Sequence, residues 1–112
     1  MLIEANMNYK YFHNNALPRV TKYTTSLCIP RMDASISRDY IYNIFNILNV
    51  GHIEYINEIP LRNEADYKRI IIRIRFNTSD KANVMKEFLD TRGYFNIVHD
   101  MPWFWRVLKG NQ

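Results

Sequence analysis

Between residues 26 and 109 the hydrophobic period switches repeatedly, and the switches read β-α-β-β-α-β. A chain of 112 residues holds one domain. Two β-α-β halves of this length close into a four-stranded antiparallel sheet with both helices on one face, an α+β sandwich of ferredoxin-like type. The other sheet face is left open. The third strand, residues 69–76, says most about that face. Ile70, Ile72, Ile74 and Phe76 point one way, while Arg69, Ile71, Arg73 and Arg75 point the other. Three arginines cannot share a core without partners. The isoleucine side is therefore predicted to meet the helices, and the arginine side to meet solvent or a ligand.

The remaining elements follow from local signals. Residues 24–29 are β-rich and end at Pro30, giving the first strand. Ser37 is a helix N-cap with Asp39 in the first turn, and Ile41, Ile44, Phe45 and Leu48 recur at helical spacing until Gly51 stops them. Residues 52–59 form the second strand, closed by Pro60, and residues 62–68 read as a polar loop. Thr78 or Ser79 caps a second helix that buries Ala82, Met85, Phe88 and Leu89 and ends at Gly93. Residues 95–98 are a candidate for a short extra strand, and residues 103–109 for the last one. The domain is expected to span residues 24–110. Residues 1–23 show no period and carry Tyr9, Tyr11 and Phe12 close together, either docked on the domain or part of a binding surface.

Charge and composition exclude more than they assign. Lysine and arginine number 15 against 11 acidic residues, so the net charge of +4 only mildly favours polyanions. The single cysteine, Cys28, cannot form an internal disulfide, and no His/Cys cluster has zinc spacing. No signal peptide, membrane-length apolar run or glycine-rich phosphate loop is visible. His13, His52 and His99 are scattered without orienting partners. The expectation is a non-catalytic intracellular protein without cofactor, metal, membrane or small-molecule substrate.

The layout, the helix stretch at residues 37–45 (SRDYIYNIF) with its spacing to Gly51, and the last strand with Trp105 and Val107 in helix-facing slots resemble the RNA-recognition-motif (RRM) family. The resemblance covers about three-quarters of the chain by the length such a unit requires. Residues 96–107 (NIVHDMPWFWRV) further resemble small RRM-like proteins of large DNA viruses of protists and algae, which would place the chain in host cytoplasm or virion. The departures are specific. Cys28, between Leu27 and Ile29, occupies the family's first-strand aromatic slot. In the third strand Arg69 keeps the basic start and Phe76 the final core-facing ring. Ile70 replaces the glycine, and Ile71 and Arg73 replace the two stacking aromatics. A base stacked on a ring is worth ~1–3 kcal/mol, so these losses remove most base-specific affinity of the usual kind.

Two functions remain open. In the first, Arg73, Arg75, Arg106, Phe104, Ile71 and Cys28 form an open face extended by Arg62, Lys68 and Arg69. It binds RNA or single-stranded DNA through phosphates, with weak sequence selectivity. Against this stands a solvated face in which Glu54 and Glu58 neutralise Arg73 and Arg75 across the strands. In the second, the scaffold is a protein-interaction module, using Trp103 beside Tyr40 or Tyr42, or the segment with Tyr9, Tyr11 and Phe12. It would join a viral complex or pair with another copy of the chain. Trp105 reads as core packing, and Cys28 as a passive thiol unless Arg73 or Arg106 lowers its pKa.

Overall fold

Gly93, with φ of 83°, reverses the chain after the second helix and sends residues 94–100 back as a full strand rather than a short accessory one. This widens the sheet. In the computed structural model, which describes residues 2–4 and 19–110, the elements are β1 (Leu2–Glu4), β2 (Thr25–Asp33), α1 (Arg38–Leu48), β3 (Gly51–Leu61), β4 (Glu64–Phe76), α2 (Asp80–Thr91), β5 (Tyr94–Asp100) and β6 (Trp103–Lys109). Five strands lie in the order β5-β6-β2-β4-β3, each antiparallel to its neighbours. The short β1 pairs parallel to β5 outside them. The architecture is α+β and compatible with a ferredoxin-like arrangement, but the antiparallel sheet has five strands and not the expected four. The physical reason lies in β5 itself. Phe95 and Ile97 alternate into the core, so β6 gains a hydrogen-bonded partner that buries apolar surface as well.

The core sits between one sheet face and both helices. Ile70, Ile72 and Ile74 are fully buried, together with Leu27, Ile29, Phe76, Phe95, Ile97, Trp105 and Val107 from the other strands. Each such side chain contributes ~1.5–3 kcal/mol through burial. From α1 come Ile41, Ile44, Phe45 and Leu48, and from α2 Ala82, Met85 and Leu89, as the helical spacing predicts. Phe88 is only partly buried at the margin.

Boundaries moved where local chemistry differs from the pattern. β2 continues past Pro30 to Asp33, because the missing proline N–H falls in a register shift between Ile29 and Met32. α1 is stopped by Asn49 in the left-handed region, φ 52°, rather than by Gly51. Gly51 instead opens β3 where a Cβ would come within 2.3 Å of the Arg75 carbonyl oxygen. The polar stretch expected as a loop is mostly strand. The turn is only Arg62 and Asn63, and β4 begins at Glu64. Residues 64–66 are exposed, so no apolar alternation marked them.

Both helices are capped as their sequences require. Ser37 Oγ accepts from Tyr40 N at 3.1 Å, and Ser79 Oγ accepts from Ala82 N at 3.2 Å. Ser37→Ala is expected to cost ~1 kcal/mol. That corresponds to a melting temperature lower by roughly 4–8 °C in thermal unfolding followed by circular dichroism.

Candidate nucleic-acid interface

Strand register arranges the open face in rows. Tyr94, Leu108, Cys28, Ile71 and Asn57 lie side by side across β5, β6, β2, β4 and β3. This middle row is mostly apolar, half-buried at Tyr94, Leu108, Cys28 and Ile71 and exposed at Asn57. On one side of it β4 presents Arg73, between Ser26 and Tyr55, and then Arg75 opposite His52. On the other side come Arg106 on β6, paired with Asn96, and Arg69 on β4, paired with Ile59. Beyond them the end of the sheet carries Phe104, Arg31 and Tyr67. The arginines of β4 and β6 thus flank an apolar centre on both sides.

Tyrosines stand beside three of the arginines. The Arg31 guanidinium lies 3.7 Å from the Tyr67 ring centroid, Arg106 4.8 Å from Tyr94, and Arg73 5.9 Å from Tyr55. A guanidinium beside a ring is attracted to its face, and its N–H groups that are not already bonded can meet a phosphate or a base edge. Aromatic rings have therefore not left this face. They sit on β3, β5 and the hairpin stem instead of the centres of β2 and β4. Sequence reasoning missed Tyr55, Tyr67, Tyr94 and Arg31. The clue for Tyr94 was its place just before the candidate strand at residues 95–98. Pro30 hid Arg31 by reading as the end of β2.

Acidic neutralisation of the face is slight. Arg31 Nε bonds Glu64 Oε2 at 2.8 Å, and Arg75 Nε lies 4.0 Å from Glu54 Oε2. Among the described residues no carboxylate pairs with Arg69, Arg73 or Arg106. Glu58, expected to neutralise this face, lies on the opposite one. A register shift between Ile53 and Tyr55 changes the parity of β3, so Glu58 shares the helix side with Ile56. There it bonds Lys68 Nζ at 2.6 Å and Arg38 Nη2 at 3.2 Å.

The other expected residues divide. Lys68 is removed from the interface: it is buried on the helix side, donating to Glu58 and to the Ile36 carbonyl. Its position on β4 shares the parity of Ile70, which a loop reading could not reveal. Arg62 sits at the hairpin turn and lines a shallow groove with Arg69 and Arg31. Phe104 is on the open face and 50% exposed. Cys28 is in the middle row, and burial pushes its thiol pKa up, with Arg69 opposing weakly. The thiol is thus protonated at neutral pH, which disfavours a nucleophilic role. Trp105 is in the core, stacked on His99 at 4.2 Å. Tyr40 and Tyr42 pack against the core, and the Tyr40 hydroxyl is 3.0 Å from His99 Nδ1. Trp103 is 67% exposed, in a cleft whose lining includes neither of these tyrosines. Tyr9, Tyr11 and Phe12 lie outside the described residues.

No group of histidine, cysteine or carboxylate side chains suited to a metal ion occurs among the described residues, and no described helix is long and apolar enough to cross a membrane. No family model, curated protein or solved structure matches the chain.

Proposed function

We propose that the chain is an RRM-like domain that binds single-stranded nucleic acid, RNA or DNA, on its open sheet face. The observation that carries this reading is the set of arginine–tyrosine pairs flanking an apolar middle row, with Arg69, Arg73 and Arg106 free of carboxylate partners among the described residues. Guanidinium groups take phosphates through paired N–H groups and take bases by stacking. Ile71, Leu108 and Phe104 offer apolar area for bases without reading their edges. Binding of this type is phosphate-led, salt-sensitive and weakly selective for sequence.

Fluorescence anisotropy with short labelled single strands of mixed sequence, at two salt concentrations, tests it. Three phosphate contacts through Arg69, Arg73 and Arg106 predict a log–log salt slope of about −2 for a single strand. Absence of binding at low salt would refute the reading. It would move the function to a protein partner, for which the exposed Met101 and Trp103 are a candidate surface.

A further inference from the structure

At the end of the sheet, where β2 finishes and β6 starts, lies a cleft of about 550 Å³. This volume falls in the range that accommodates small ligands. Its walls include Arg31, Tyr67, Trp103, Phe104, His99 and Asp33. It differs in character from the arginine rows beside it. Arg31 and Asp33 balance in charge, and both are already engaged: Arg31 with Glu64 and the Tyr67 ring, Asp33 Oδ1 with Ser35 N at 2.8 Å and Ser35 Oγ at 2.6 Å. A phosphate gains little in such a place. A flat, uncharged ring gains much, because Phe104 and Trp103 are 50% and 67% exposed there and no intramolecular ring contact occupies them among the described residues.

The cleft is also continuous with the basic rows. Phe104 is two residues from Arg106 on the same face of β6, and Tyr67 two residues from Arg69 on β4. A strand whose phosphates lie on Arg106 and Arg69 leaves the sheet at this end, and its last base arrives at the cleft.

We propose that the cleft is a pocket for the terminal nucleobase of the bound strand, stacked on Phe104 beside the Arg31–Tyr67 pair and edged by Trp103, which alternates to the other side of β6. This deepens the nucleic-acid reading and rests on it. Asp33 Oδ2 remains to accept from an exocyclic amino group of the base, which would favour adenine, cytosine or guanine over uracil or thymine.

The test compares one short oligonucleotide with versions abasic at the 5′ end, at the 3′ end or at one interior position. Loss of the base at one end is expected to weaken binding about 5-fold or more. Loss at the other end should matter little. Phe104→Ala/Trp103→Ala should weaken the intact strand to the same degree and leave the abasic-end strand unchanged. Trp103→Phe should restore tight binding. Fluorescence provides a second readout. Trp105 also lines the cleft, so Trp103→Phe separates the two tryptophans: the quenching lost in that variant reports Trp103, and it should vanish in the unsubstituted protein with the abasic-end strand. Equal affinity for all four oligonucleotides overturns the pocket while leaving the sheet-face reading intact. No binding of any of them overturns both. Both substituted side chains are at least half exposed, so the variants keep the core that folds the chain.

Discussion

Arg73→Glu/Arg75→Glu lowers affinity for a short single strand by about 100-fold or more at low salt, and the salt slope falls by roughly 0.7, the change expected for the one phosphate contact counted at Arg73. The effect is large because the change is double. Two attractive groups on one strand become two repulsive ones, and the net charge of +4 becomes zero. Arg73 lies beside Tyr55 and Arg75 beside Glu54, so the reversed pair also places a carboxylate against Glu54. Arg73→Gln/Arg75→Gln separates the contributions. It removes attraction without adding repulsion and should bind with intermediate affinity. Arg73→Lys/Arg75→Lys keeps the charge while losing the flat fork, so the slope should survive and affinity should fall only a few-fold by loss of paired hydrogen bonds. Anisotropy on all three, with circular dichroism to show that each is folded, makes the comparison complete. Wild-type affinity in the glutamate variant would place the binding site elsewhere.

How much of this was legible in the sequence differs by element. The period-2 alternation of β4 was unambiguous, because Ile70, Ile72, Ile74 and Phe76 form an apolar face that cannot point at water. The helix faces were equally clear, with the first cap placed at Ser37 by residue type and the second narrowed to Thr78 or Ser79, of which the structure uses Ser79. What failed was parity across irregularities. The register shift after Ile53 reassigns Glu58 from the open face to the helix side, and no residue in β3 announces it. The shift at Pro30 extends β2 and brings Arg31 to Tyr67, a pairing between positions 36 residues apart. Exposed strand residues such as Glu64 and Asp66 look like loop, since strand signals come from burial they do not undergo. The candidate site was therefore legible in Arg69, Arg73, Arg75, Arg106 and Phe104 and illegible in Arg31 and the three tyrosines: alternation identifies the strand's own side chains, and only register identifies their neighbours.

The same parity shift carries the second large effect. Glu58→Gln is expected to destabilise the fold by about 2–3 kcal/mol, at or just below the low end for breaking a buried ion pair because Glu58 is itself one-third exposed. Lys68 has a side chain only 9% exposed and donates to Glu58 and to the Ile36 carbonyl. The glutamine oxygen can still accept from Lys68 Nζ, but the buried ammonium then has no counter-charge, and Arg38 at the start of α1 loses its ion pair with β3. The pH dependence gives an independent signature. The hydrogen bond from Lys68, and then the neighbouring charges of Lys68 and Arg38, hold the Glu58 carboxyl below its ordinary pKa of 4.5. A folded-state pKa that is depressed contributes stability above 4.5 and loses it as pH falls through the folded value. Urea denaturation between neutral pH and pH 3 should therefore show a steeper acid loss in the wild type than in Glu58→Gln. Glu58→Gln/Lys68→Met removes both charges and should recover most of the lost stability. Because this cluster lies on the helix side, the folded Glu58→Gln/Lys68→Met variant should bind single strands with nearly the wild-type salt slope. Arg73→Glu/Arg75→Glu should do the reverse, keeping most of the stability and losing the ligand. That double dissociation separates the face that folds the chain from the face assigned to binding, and coupled losses in both variants would contradict the assignment.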